Sequence, residues 1–125
     1  MKHHGRGFTL IELLVVLTVT ALLLSIVAPR FMKQTEITRE SVLKENLASL
    51  RSAIDQYYAD KGKYPDRLEQ LVEARYLRKM PVDPVTNQTT TWRPETMVED
   101  GALVIYDIKS GAPGAAQDGS SYASW

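Results

Sequence analysis

Gly5-Arg6-Gly7-Phe8-Thr9-Leu10-Ile11-Glu12-Leu13-Leu14 opens an apolar run that continues to Ala28 and is interrupted only by Glu12, three threonines and one serine. About 21 residues from Phe8, at ~1.5 Å each, reach about 32 Å, enough to cross the hydrocarbon core of a bilayer, so the run predicts a membrane-spanning helix. Glu12 is the anomaly. A carboxylate inside a spanning helix costs roughly 2.5–3.5 kcal/mol on insertion scales and needs a partner or a purpose. No Lys, Arg or His lies between Glu12 and Arg30, and the helical neighbours three or four residues away are Phe8, Thr9, Val15 and Val16. Were the chain cut after Gly7, the new amine of Phe8 would lie one turn before Glu12 and would be open to a neighbouring copy as well. Cleavage would create the missing positive charge. The competing reading is a carboxylate snorkelling toward the cytoplasmic face of an ordinary signal anchor.

Gly7-Phe8-Thr9-Leu10-Ile11-Glu12 behind a short basic leader resembles the class III signal of the type IV pilin superfamily, which includes type IV pilins and the pseudopilins of type II secretion. The resemblance implies a prepilin peptidase that cuts between Gly7 and Phe8 and methylates the new N-terminal Phe8. It also implies that Glu12 pairs with the Phe8 amine of a neighbouring subunit as the helices assemble into a filament.

At 125 residues the chain has room for one domain and an anchor. Four segments are expected: a leader over 1–7, a spanning and assembly helix over 8–28, the amphipathic half of the same helix over 29–60, and a small globular part over 61–125. Fifteen basic residues balance fifteen acidic ones; losing Lys2 and Arg6 with the leader leaves thirteen against fifteen, a net charge of −2. That balance gives no sign of a nucleic-acid binder. There is no cysteine, so no disulfide stabilises the exported part, and by resemblance this favours pseudopilins over the many pilins with a disulfide loop. The leader is too short for a tripartite secretory signal, and its His3-His4 pair is read as incidental rather than as a metal site. Basic residues flank the span on both sides, with Arg30 and Lys33 beyond it, so the orientation with the N-terminus inside rests on the motif.

Pro29 removes a backbone hydrogen bond, and a kink or local melting is expected between Val27 and Arg30. Beyond it, 36–60 contains no glycine or proline, and Leu43, Leu47, Leu50, Ile54 and Tyr57 recur at steps of four, three, four and three. They predict one buried stripe, with Glu40, Lys44, Glu45, Arg51 and Asp55 on a solvated face. If helical throughout, Phe8 to Asp60 is ~80 Å long. Of the pair Tyr57-Tyr58, one ring is expected in the core and the other part-exposed. Gly62 closes the helix in a left-handed cap and Tyr64-Pro65 turns the chain. Asp66 and Glu69 read as a capping box opening a short helix to about Ala74 on which Leu68, Leu71 and Val72 share a face. Met80 to Asn87, with two prolines, reads as loop. Thr89–Arg93 and Ala102–Ile108 are the expected strands, antiparallel across a turn over Pro94–Gly101. The fold class is therefore α+β: a long N-terminal helix packed on a small antiparallel sheet, as in type IV pilins.

The resemblance to major pseudopilins extends over Tyr64-Pro65, the leucine-bearing helix, Leu77 to Pro81, Asp83-Pro84 with Asn87, and the tail from Tyr106-Asp107-Ile108-Lys109-Ser110-Gly111-Ala112 to Asp118-Gly119 and Trp125. One departure is Val85-Thr86, where that subfamily usually has Trp-Gly. No cofactor is required, but the resemblance brings calcium into view, because major pseudopilins commonly hold it in a loop after the last long strand. The donors here would be Ser110 and Asp118. A hard cation wants six to eight oxygens, and Asp118 is the only carboxylate side chain from Ser110 to Trp125. The other reading of the tail is a glycine–serine turn held by packing of Tyr122 and Trp125.

Thiol and imidazole chemistry is absent from a mature chain with no cysteine and with both histidines in its leader, and no glycine-rich phosphate loop follows a strand. The expected function is thus structural. The resemblance implies a homopolymer in a type II secretion pseudopilus, held before assembly in the bacterial inner membrane with its C-terminal part in the periplasm. Its partners would be the prepilin peptidase, an assembly platform with its ATPase, and minor pseudopilins. A surface type IV pilus or DNA-uptake subunit is the alternative, and a membrane-anchored periplasmic binding module that never polymerises is a third, more distant one.

Overall fold

A computed structural model describes residues 7–125, so the leader residues Lys2, His3, His4 and Arg6 lie outside the described part. The chain divides between Glu36 and Ile37 into two compact units. Helix α1, Leu10–Lys61, runs through 52 residues and belongs to both. It starts two residues later than the apolar run suggests. The carbonyl of Thr9 already accepts the first helical bond, from the Leu13 N–H at 3.2 Å, which makes Thr9 the N-cap. Helical backbone continues without a break through Pro29, so the expected melting does not occur. The cost there is one missing donor, since proline has no N–H to offer the Ser25 carbonyl.

In the second unit the predicted stripe is the core. Leu43, Leu47, Leu50 and Ile54 are at most 1 % exposed, and Tyr57 closes the row. Each such side chain contributes roughly 1.5–3 kcal/mol when withdrawn from water. They form one cluster with Leu71, Trp92, Ile105 and Ile108. Gly62, at φ +72°, ends α1 as expected, its N–H reaching the Tyr58 carbonyl at 2.8 Å. Tyr57 meets Tyr76 edge-on while the exposed Tyr58 stacks on Tyr64, the division of roles the sequence suggests.

Helix α2 spans Glu69–Glu73, but the Asp66–Glu69 capping box does not form. Residue 68 is already helical in backbone angle, so the start is shifted, and the Asp66 N–H donates instead to Oε1 of Gln70, one residue further on.

The hairpin also differs from expectation. Strand β1 is Arg93–Glu99 and β2 is Ala102–Lys109, antiparallel. Thr89 to Trp92 is not strand, and most of the expected turn is. The reversal is confined to Asp100-Gly101, both at positive φ, the two-residue Asp-Gly turn whose twist matches that of the strands it joins. Pro94 is tolerated because, among the described residues, neither strand has a second neighbour to demand its missing N–H. Tyr106 is skipped in the register, so Ile105 and Ile108, three apart, both face the core.

The loop after α2 is fastened from several sides. Asn46 Nδ2 donates to the Val82 carbonyl and Trp92 Nε1 to that of Pro81. Gly111 lies so close to Thr91 that a Cβ would fall on its carbonyl oxygen. Only glycine fits there.

Candidate functional site

The N-terminal unit presents Gly7, Phe8 and Glu12 in sequence at the head of α1. Phe8 is 78 % exposed. Thr9 and Glu12 form a reciprocal capping box: the Glu12 N–H donates to Thr9 Oγ1 at 3.1 Å, and the Thr9 N–H points to Glu12 Oε2 at 3.4 Å. The carboxylate lies in the first turn, where helix N-terminal amides favour negative charge. Among the described residues no cation pairs with it. It is thus held in place, with acceptor capacity left for an ammonium group. The Thr-x-x-Glu spacing that encodes this box was legible in the sequence, and Thr9 is the residue that charge-based reading misses.

From Leu13 to Val27 the large apolar side chains are about half to two-thirds exposed. Helix α1 is long and apolar enough to cross a membrane, and an 18-residue stretch of it reaches a mean hydropathy of 2.7. Its hydroxyls turn inward: Thr18 donates to the Leu14 carbonyl, Thr20 to Val16 and Ser25 to Leu22, each at 2.7 Å. That removes three polar groups from an apolar surroundings.

The two expected calcium donors are not brought together by any hydrogen bond. Ser110 is fully buried and donates to Asp83 Oδ2 at 3.1 Å while accepting the Ala112 N–H. Asp118 is committed to Ser120, accepting its N–H at 2.9 Å and its hydroxyl at 2.6 Å. Those two bonds, the hydroxyl's first, hold the Asp118 carboxyl below its usual value. Among the described residues no cluster of three or more acidic, histidine or cysteine side chains gathers for a metal. Neither residue fits a hard cation that must draw six to eight oxygens. The lowered value of Asp118 has a sign: the stabilisation it gives is present above the unfolded value and lost as pH falls through the folded one. In Ser120→Ala, the carboxyl titration followed by NMR should move upward toward that of an unperturbed aspartate.

Of the residues expected to face solvent, Lys44, Glu45 and Asp55 are exposed, while Glu40 and Arg51 are half-buried, and three of the five also contact the tail. Glu40 Oε1 accepts the Gln117 N–H at 2.8 Å and the Tyr122 hydroxyl at 3.2 Å. Lys44 Nζ sits 4.6 Å from the Trp125 ring centre. Arg51 reaches Asp107 at 3.0 Å and the carbonyls of Ile108 and Trp125. Helical period alone cannot find them, because it says which face a residue is on but not how far the tail folds back.

Residues 2–28 match the family described as the prokaryotic N-terminal methylation motif. The chain is 29 % identical over 141 residues to the type II secretion system core protein G of Pseudomonas aeruginosa, covering 99 % of this chain and 97 % of that protein. With the protein of the same name from Escherichia coli it shares 32 % over 124 residues, 86 % of this chain and 81 % of that one. It is also 38 % identical over 63 residues to the type IV major pilin protein PilA of Myxococcus xanthus, over 50 % of this chain and 29 % of that protein. No solved structure matches the chain significantly.

Proposed function

The chain belongs to the family of type II secretion system core G proteins, and from that membership we propose that it is the structural subunit of a pseudopilus whose growth drives folded periplasmic proteins out of the cell. The observation that carries this reading is the reach of the similarity: it covers 99 % of this chain and 97 % of the Pseudomonas aeruginosa core G protein, but half of this chain against the pilin. The proposed sequence of events begins with the subunit in the inner membrane, its 8–28 segment in lipid and its C-terminal part in the periplasm. A prepilin peptidase cuts between Gly7 and Phe8 and methylates Phe8. An assembly platform with its ATPase then adds the subunit to a homopolymer, with minor pseudopilins as companions, and Pro29 is the point where α1 bends as the helices leave lipid. The work of the chain is assembly: the Phe8 amine of one copy meets the Glu12 carboxylate of another.

The test compares the extracellular and periplasmic proteomes of a parent strain and one lacking this gene. Specific folded enzymes should disappear from the medium and accumulate in the periplasm. Unchanged secretion together with lost surface filaments would favour the pilus reading, to which the pilin similarity lends some support.

A further inference from the structure

We propose that the tail from Ser110 to Trp125 is fastened by a metal-free clasp of three side chains from α1, Glu40, Lys44 and Arg51, in place of the calcium loop that the resemblance implies. Steps of four and seven place the three on one side of the helix, beside the buried leucine row. Each grips a different part of the tail. Glu40 supplies a carboxylate to the Gln117 N–H and the Tyr122 hydroxyl, so a second negative charge beside that of Asp118 comes from the helix and is met by protein donors. Lys44 covers the face of the Trp125 ring. Arg51 joins the end of β2 to the Trp125 carbonyl, bridging the two ends of the tail.

The tail is closed on itself as well. Trp125 Nε1 donates to Ser120 Oγ at 2.8 Å, the Ala116 N–H donates to the Ser120 carbonyl at 2.7 Å, and Tyr122 meets Trp125 edge-on at 5.2 Å. Three of the side-chain oxygens a cation would have to recruit are engaged: Asp118 Oδ1 accepts from the Ser120 hydroxyl, Ser120 Oγ accepts from Trp125, and Ser110 Oγ is bonded to Asp83 and Ala112. A calcium loop spends its acidic side chains on the ion. Here the single tail carboxylate turns its own loop, and a second carboxylate comes from the helix.

The test uses the full-length chain in detergent, with chelator or with millimolar calcium, read by thermal unfolding and by amide hydrogen exchange at Gln117 and at Ile105, whose N–H donates to the Pro65 carbonyl in the core. Neither chelator nor calcium should move the melting temperature or the protection of Gln117. Glu40→Ala should cut Gln117 protection at least tenfold and leave Ile105 protected, with no rescue by calcium. Glu40→Gln, which keeps an acceptor oxygen, should lose less. A melting temperature that rises with calcium or falls with chelator overturns the clasp. So does a Glu40→Ala chain that keeps Gln117 protected, or one that loses Gln117 and Ile105 together. None of these readings depends on whether the chain forms filaments, so the clasp and the secretion role can fail separately.

Discussion

Replacing Glu12 by alanine is expected to reduce filament yield at least tenfold while leaving membrane insertion and processing at the wild-type level. Two charges about 4 Å apart at an effective dielectric constant near 20 attract by about 4 kcal/mol, and about 1.4 kcal/mol of lost pairing is already a tenfold effect. Insertion moves the other way, because removing the carboxylate relieves roughly 2.5–3.5 kcal/mol. A failure to assemble therefore could not be traced to a failure to enter the membrane. Alanine also breaks the capping box with Thr9, worth about 1 kcal/mol at the helix start. Glu12→Gln separates the two roles, since glutamine serves at this position of a capping box but carries no charge. It should be as defective as alanine when sheared filaments are quantified by immunoblot, and cross-linking through cysteines introduced beside position 12 should give no ladder. Wild-type filament yield from Glu12→Gln would reduce the carboxylate to a helix cap and remove the ion pair from the assembly reaction.

What could be read from the sequence followed from whether each signal was local. The apolar run, its single carboxylate and the leucine row at helical spacing are periodic or contiguous, and α1 and its buried face emerged as expected. The hairpin lies later in the chain than β-forming composition at Thr89 to Arg93 suggests, because the Asp100-Gly101 turn, a shorter but more specific signal, sets the register. The Asp66 N–H bonds to Gln70 rather than Glu69 because Leu68, the residue ahead of the helix, already has helical backbone angles. Glu40, Lys44 and Arg51 could not be assigned at all from spacing, since their partners lie 56 to 82 residues away and are met only through the folded tail.

Asp83→Ala is the second large effect, and it should lower the stability of the unit Ile37–Trp125 by at least about 3 kcal/mol, since three donors lose their acceptor at about 1 kcal/mol or more each. Asp83 is fully buried, yet among the described residues no cation stands beside it. Its charge is met instead by three donors: the N–H groups of Val85 and Thr86 at Oδ1, 2.8 and 3.3 Å away, and the Ser110 hydroxyl at Oδ2. Its own backbone closes the same loop, with its N–H on the Gln88 carbonyl and its carbonyl accepting the Asn87 N–H. Alanine leaves the buried Ser110 hydroxyl and the part-buried N–H groups of Val85 and Thr86 without their acceptor, a loss of about 1 kcal/mol or more each, and opens the link between the proline loop and the start of the tail. Asp83→Asn keeps an oxygen for the two N–H groups and sets an amide against Ser110, whose oxygen can accept from it, so its loss should be about 1–2 kcal/mol. At roughly 4–8 °C per kcal/mol for a unit of this size, alanine should drop the melting temperature by at least about 12 °C and asparagine by much less. Near-ultraviolet circular dichroism of the full-length chain in detergent measures both. Adding Ser110→Ala to Asp83→Ala should restore part of the loss, because the hydroxyl left without an acceptor is then gone. Strict additivity of the two would show that the serine and the aspartate do not act as a pair.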